Sequence, residues 1–160
     1  MTILDEVNEK IVRFTKEIYP GAVVDNEGRV TFDYESTKVW VDVVTMSHKD
    51  ASEGKAFADK HQLPSTLIRV QAILVSKVPR SPALFQWVAV DSRRKLGSVN
   101  VILDDEGTCD LFFMYTLAGD TLDASEMKHA LFIVAAFANQ LDDEIQAKFG
   151  GKRWAELKKG

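Results

Sequence analysis

The sequence has little of several features that mark common classes of protein. Its 160 residues include one cysteine, Cys109, so no internal disulfide can form, which fits a reducing compartment. The longest apolar run, ALFIVAAFA at 130–138, is far shorter than the ~20 residues that span a bilayer. Basic residues are outnumbered 20 to 24, and the net charge of −4 disfavours a broad surface for nucleic acid or anionic membrane. We therefore expect a cytoplasmic protein that binds neither nucleic acid nor membrane.

Local motifs of catalysis and metal binding are also missing. The sequence contains no GxSxG, HExxH, CxxC or GxGxxG. Its histidines, at 48, 61 and 129, share no ligand spacing. No sequence neighbour of Cys109 supplies the base or the electropositive setting that a reactive thiolate needs, so a small strand residue is the better interpretation. The sequence therefore predicts a protein that is not an enzyme and that holds no cofactor and no metal.

Two acidic stretches have structural explanations. LDDEG at 103–107 has the composition of a hairpin turn, since Asp and Gly tolerate the backbone angles found there. QLDDEIQAKFGGKRW at 140–154 ends a helix, because Gly150-Gly151 suits the left-handed C-terminal cap. A phosphate loop needs the opposite order, with glycines before a helix. Glu144 is predicted to pair with Lys148 on the polar side of that helix.

Hydrophobic periodicity predicts helices and strands that form one domain, 1–160, with a C-terminal tail, 152–160, that could be flexible. The first helix follows Thr2, and the last one follows a capping box from Asp123 to Glu126. Alternating residues predict the strands, with polar loops at 47–65 and at Arg93-Arg94-Lys95. The predicted elements are a helix at 3–18, strands at 30–34, 39–43 and 66–78, a helix from Pro82, strands at 97–103 and 109–117, and a long helix ending at 149.

Several strands carry more apolar residues than one buried face requires. Phe112 and Met114 face away from the side that carries Cys109, Leu111, Phe113 and Tyr115. Leu67, Ile73 and Val75 lie off the main apolar side of strand 66–78, and Trp40 opposes Val39 and Val41. This surplus predicts a dimer interface, a second layer or a binding groove. The alternative is that the loop 47–65 or the C-terminal tail folds over it.

Five segments carry a family resemblance, which is densest from residue 67 to 153: VSKVP, SPALFQWVA, GSVNVILDDEG, LAGDTLDASEM and LDDEIQAKFGG. They resemble the YbjN-like family, whose fold is shared with type III secretion chaperones. The resemblance implies an α+β fold, a five-stranded antiparallel sheet with three helices, in the order α-β-β-β-α-β-β-α. It also implies homodimerisation and the binding of peptides or unfolded segments of client proteins, without enzymatic activity.

The resulting hypothesis is a chaperone-like or regulatory homodimer that binds a client protein or peptide through apolar sheet surface. The alternative is a regulatory domain that binds a small molecule in the same concave sheet. Phe85 and Trp87 are predicted either to form the dimer seam or to belong to the ordinary core. The candidate peptide contacts are Trp40, Val44, Ile73, Phe112 and Met114.

Overall fold

A computed structural model describes residues 1–46, 56, 59–90 and 96–159. Its described helices are α1 (Ile3–Ile18), α2 (Pro82–Val90), α3 (Ala124–Phe149) and α4 (Trp154–Leu157). Its described strands are β1 (Val23–Val24), β2 (Val30–Tyr34), β3 (Thr37–Thr45), β4 (Thr66–Pro79), β5 (Ser98–Leu103) and β6 (Thr108–Ala118). His48, most of the loop 47–65 and the basic run 93–95 lie outside the described residues.

The six strands form one antiparallel sheet in the order β1-β2-β3-β4-β6-β5. The α+β class and the antiparallel sheet are confirmed, but the predicted count of five strands and three helices is wrong. The described residues contain six strands and four helices. The additions are β1, which extends the sheet beside β2, and α4. Elements of two and four residues are too short to show a hydrophobic period, so the sequence pattern did not reveal them.

One face of the sheet is covered by α1 and α3. α1 begins at Thr2, whose hydroxyl accepts a hydrogen bond from the Asp5 amide while the Asp5 carboxylate accepts one from the Thr2 amide. Its buried side chains Val7, Ile11 and Phe14 recur at helical spacing and point towards the sheet. The predicted N-cap at Thr2 is therefore confirmed.

α3 is the long central helix of the covering layer. Asp123 and Glu126 form the predicted capping box, with hydrogen bonds of 2.8 and 3.1 Å between side chains and amides. The helix ends at Phe149, and Glu144 pairs with Lys148 at 2.6 Å as predicted. The buried side chains on α3 are Met127, Ala130, Leu131, Ile133, Val134, Ala135, Ala138, Leu141, Asp142 and Ile145.

Asp142 is a buried carboxylate near the end of α3. Its Oδ2 accepts a hydrogen bond from Ser36 Oγ in the β2–β3 turn, and that hydroxyl oxygen also lies 2.9 Å from Asn139 Oδ1. Burial raises the pKa of Asp142, while the Ser36 hydrogen bond acts in the opposite direction. This contact fastens the β2–β3 hairpin to the helix layer.

Strand β4 contains a register shift that changes which face its later residues occupy. The pairing with β6 slips between Ile73 and Val75, and again between Val75 and Val78. Val75 consequently pairs with Leu111 and is fully buried, so the prediction that Val75 lies off the core side is wrong. A β-bulge reverses the alternation of faces, and a strict period of two cannot show it.

Candidate functional site

The face of the sheet opposite α1 and α3 is called the Trp40 face. Alternation and register place four cross-strand rows of side chains on it. One row runs from Trp40 through Gln71 to Met114, and the next pairs Ile73 with Phe112. The Trp40 face comprises Trp40, Asp42, Val44, Leu67, Arg69, Gln71, Ile73, Phe112, Met114 and Thr116.

Four of the five predicted contact residues form one apolar cluster on this face. The Trp40 and Phe112 rings meet edge to face, with centroids 5.5 Å apart, across β4. Ile73 is the direct cross-strand partner of Phe112, and Met114 lies two residues along β6 from Phe112 on the same face. All four side chains are half-buried. The cluster thus offers large, polarisable apolar surface without being closed into the core.

Val44 lies on the same face but outside the cluster. The ion pair of Asp42 and Arg69 lies between Val44 and the cluster. Arg69 Nε and one terminal guanidinium nitrogen donate to the two Asp42 carboxylate oxygens, at 2.9 and 2.6 Å. The Asp42 hydrogen bond raises the pKa of the Arg69 guanidinium. This two-pronged geometry fixes both side chains. Val44 and its pairing partner Leu67 therefore form a separate apolar patch beyond the ion pair.

The two predicted dimer-seam residues have different environments on α2. Phe85 is 40% exposed, and Val90 on the same helix is 66% exposed. Trp87 is half-buried and packs edge to face on Phe149, at 5.9 Å between centroids. Phe85 is therefore available for a contact with another molecule, whereas Trp87 already contributes to packing within the chain.

A groove of about 610 Å³ lies beside α1 and was not foreseen from the sequence. Its walls come from α1, from the β1–β2 end of the sheet and from Asp42 and Val43 of β3. None of the five predicted contact residues lines it. Its lining residues are Leu4, Asn8, Glu9, Val12, Arg13, Val24, Glu27, Gly28, Arg29, Asp42 and Val43.

The titratable groups with the lowest pKa values hold turns together. Asp104, in the β5–β6 turn, accepts hydrogen bonds from the Thr108 hydroxyl and from the Thr108 and Glu106 amides, and its pKa falls to about 2.

Cys109 is buried on β6, as predicted, and burial raises the pKa of its thiol. Within the described residues, no three His, Cys, Asp or Glu side chains are grouped so as to hold a metal ion.

The segment after α3, residues 151–158, is called the strap. Lys152 exchanges two backbone hydrogen bonds of 2.8 Å with Ser76 of β4, and the Ala155 amide donates to the Ser36 carbonyl at 3.1 Å. The strap thus extends the pairing of β4 beyond the last residue paired with β3. These contacts attach to the sheet a segment for which the sequence analysis predicted a C-terminal tail that could be flexible.

The strap also reaches the end of the Trp40 face. Trp154 Nε1 donates to Asp33 Oδ1 at 2.9 Å, and the Lys158 ammonium binds Asp33 Oδ2. Lys38, the cross-strand partner of Asp33, holds its ammonium 5.1 Å from the Trp154 ring centroid. Partial loss of hydration acts to raise the pKa of Asp33, but the Lys158 and Trp154 hydrogen bonds lower it. No local pattern in the sequence predicts this arrangement, because Asp33 lies 121 residues before Trp154.

Comparison with known proteins assigns the chain to a family. A family model described as TY-Chap1, T3SS (YopN, CesT) and YbjN peptide-binding chaperone 1, matches residues 52–157. The chain belongs to this family. The resemblance inferred from the sequence motifs is thereby confirmed.

The fold of this TY-Chap1 member is also similar to a solved structure. A chain in the crystal structure of the ExsC-ExsE complex matches it with a TM-score of 0.55 and 17% sequence identity, over 89% of this chain and 96% of that chain. No curated protein matches the sequence. In the described part of the chain, no helix is long and apolar enough to cross a membrane.

Proposed function

We propose that this TY-Chap1 protein binds extended segments of client proteins on the Trp40 face and acts as a homodimer. The observation that carries the proposal is the apolar cluster of Trp40, Ile73, Phe112 and Met114 on one half-buried sheet face. Alternate side chains of an extended segment all point one way and can pack on such a surface. Membership in a family of peptide-binding chaperones supports this role, and the similar chain comes from a complex of two proteins.

The proposed activity is binding, without catalysis, cofactor or metal. The proposal is supported by the structural roles of the two carboxylates whose pKa values are lowered most, Asp104 and Asp120. Asp104 holds a turn, and Asp120 holds the start of β4 through Ser65 and Thr66. Structural hydrogen-bond networks shift pKa values as active sites do. Here the hydrogen bonds that lower the two pKa values come from neighbouring turn and strand residues, so the shifts are explained by structure alone.

Replacing Trp40 by aspartate is expected to reduce client capture at least tenfold. The change removes the largest ring of the cluster and puts a charge beside Phe112, which a client segment would have to desolvate. The measurement is affinity capture from the native host, with the recovered proteins quantified by mass spectrometry.

Thr116→Asp is the matched control. Thr116 is exposed on the same face but outside the cluster, so the substitution adds the same charge without removing a cluster side chain. Both variants should keep the circular dichroism spectrum and melting temperature of the parent. Equal capture by the parent and Trp40→Asp would overturn the assignment of this face, and capture of nothing by the parent would overturn the proposed function.

The proposed dimer seam is centred on α2. This helix exposes Phe85 and Val90, and at the nearby end of β5 both Ile102 and Leu103 are 58% exposed. Arg80, just before α2, donates from its Nε to the Thr108 carbonyl at 2.8 Å, which places the start of α2 next to the β5–β6 turn. A second copy of the chain would cover this apolar surface with its own.

Phe85→Glu is expected to convert the dimer into a monomer, because two buried charges would face each other across a symmetric seam. The measurement is light scattering after size exclusion, over a range of protein concentrations. Gln86→Glu, on the neighbouring exposed position of α2, should leave the dimer intact. A parent protein of single-chain mass at high concentration would contradict the dimer.

The second candidate function is the binding of a small molecule, which the groove beside α1 favours. Its volume of about 610 Å³ lies in the range of pockets for small ligands. A ligand there would raise the melting temperature by mass action, and Val12→Trp, which fills the groove, would remove that shift. This groove lies apart from Trp40, so the two functions are separable by mutation.

A further inference from the structure

The strap combines two modes of attachment that peptide ligands use. It pairs its backbone with β4 at Ser76, and it then lays Trp154 against the side chains of Asp33 and Lys38. Backbone pairing at a strand edge followed by side-chain recognition is the usual geometry of strand addition by a bound peptide. The strap therefore has the form of a ligand that is supplied by the same chain.

The position of the strap places it at the border of the proposed client surface. Lys38 and Trp40 are two residues apart on β3 and share one face of the sheet, and the Lys38 ammonium lies 5.1 Å from the Trp154 ring centroid. Ser76, which pairs with Lys152, lies three residues along β4 from Ile73. A client segment that ran along β4 past Ile73 would meet the strap.

The strap is attached mainly by polar contacts at the surface. No side chain of α4 is buried, and Lys158, Asp33 and the ring of Trp154 hold one another where solvent reaches them. Exposed ion pairs contribute little to stability because water and salt screen them. Segments with few buried apolar contacts open most readily from a folded protein. The strap can therefore leave while the sheet remains folded.

The start of the strap, at Gly151, is held more firmly than the rest of it. Gly151 passes against β4, where an added Cβ would lie 2.5 Å from Val75 Cγ1 and 2.8 Å from the Ser76 carbonyl oxygen. Gln146 Nε2 donates to the Gly151 carbonyl at 3.1 Å and to Glu156 at 2.7 Å. Because its start is held beside β4, a released strap stays near its binding site. Its rebinding is therefore intramolecular, at a high effective concentration.

We propose that the strap is an intramolecular competitor at one end of the client-binding face, and that a client segment of the same chemistry displaces it. This rests on the proposed function. The segment is an extended stretch that pairs with β4 at Ser76, followed by an aromatic side chain with an N–H donor and a basic residue that both reach Asp33. Full access to the β4 edge then depends on release of the strap.

The test uses a fluorescein-labelled peptide of residues 150–160, GGKRWAELKKG, and the full-length chain. Trp154→Ala in the chain removes the hydrogen bond to Asp33 and the ring beside Lys38, so the intramolecular strap is weakened. By fluorescence anisotropy, the Trp154→Ala chain is expected to bind the peptide at least tenfold more tightly than the parent. The parent is weaker because only its open fraction is competent to bind.

Lys158→Glu is the second variant, since it reverses the charge that faces Asp33 without removing the tryptophan. It should also bind the peptide more tightly than the parent. A peptide with alanine in place of tryptophan, and a chain carrying Asp33→Ala together with Trp154→Ala, should both lose binding. Unchanged circular dichroism and melting curves show that the variants remain folded.

The outcomes separate this proposal from the function on which it rests. Equal binding of the peptide by parent and variants, or binding by none of them, overturns the strap proposal and leaves the result of the Trp40→Asp capture experiment as it stands. Peptide that binds the Trp154→Ala chain but does not compete with the captured client also overturns it. Capture of no client by any chain overturns the proposed function and, with it, the strap as a competitor.

Discussion

Asp120→Ala is expected to lower the free energy of unfolding by about 3 kcal/mol or more, because hydrogen bonds to a charged group are strong and orphaned donors are costly. Asp120 Oδ1 accepts from the Thr66 amide at 2.8 Å and from the Thr66 hydroxyl at 2.5 Å. Its Oδ2 accepts from the Ser65 amide and hydroxyl, both at 2.9 Å. Thr66 is fully buried, so its two donors would have no water to replace the lost carboxylate.

The same carboxylate gives this part of the structure a defined dependence on pH. Partial burial acts to raise the pKa of Asp120, but the hydrogen bonds from Ser65 and Thr66 outweigh it and hold the pKa at about 2, against 3.8 for an unperturbed group. A folded-state pKa below the unfolded value means that the stabilisation is present above pH 3.8 and is lost as the pH falls towards 2. The advantage of the parent over Asp120→Asn should shrink over that interval.

Urea denaturation of the parent, Asp120→Ala and Asp120→Asn at pH 7, 4, 3 and 2 measures both effects. Asp104 also has a pKa of about 2, but it is unchanged in all three proteins and cancels in the difference between them. A gap between parent and Asp120→Asn that stayed constant from pH 4 to pH 2 would show that the carboxylate charge does not stabilise the start of β4.

The second large effect is expected at Gly151, with Gly150 as its matched control. Both glycines have positive φ, +80° at Gly150 and +92° at Gly151, so alanine is strained at either position, at a cost of about 1–3 kcal/mol. Only Gly151 lies against other atoms: a Cβ there would be 2.5 Å from Val75 Cγ1 and 2.8 Å from Val78 Cγ2. At Gly150 nothing lies within 4 Å.

Gly151→Ala should therefore cost about 1–3 kcal/mol more than Gly150→Ala, because overpacking adds to backbone strain. Chemical denaturation of the two variants gives the difference directly. The larger loss should be accompanied by faster hydrogen exchange at the Ser76 amide, which bonds to the Lys152 carbonyl. Equal losses at the two glycines would mean that the close passage beside β4 does not constrain the chain.

Local signals in the sequence predicted the elements that depend on local interactions. The capping groups Thr2, Asp123 and Glu126 act within one turn of their helices, so their residue types were sufficient to place the helix starts. The β5–β6 turn followed from its Asp and Gly content for the same reason. The five-strand count was wrong because β1 owes its structure to pairing with β2, not to a pattern of its own.

The features that the sequence did not reveal depend on contacts between distant residues. A period of two put Trp40, Ile73, Phe112 and Met114 on the side of their strands that faces away from the core, but only the register shows which of them meet. The strap was missed because Trp154 and Lys158 acquire their meaning from Asp33, which lies more than 100 residues earlier. The bulge at Val75 is likewise set by pairing with β6.

The strand order has a consequence for how quickly the protein can acquire its structure. β4 lies at the centre of the sheet, between β3 and β6, and Leu67 near its start pairs with Ala118 at the end of β6. Long chain segments must close before such pairs form, which slows folding compared with hairpins between neighbours. During synthesis the β2–β3 hairpin and β4 are complete before β6 exists. A nascent chain therefore exposes one edge of β4 until about 40 further residues have been added.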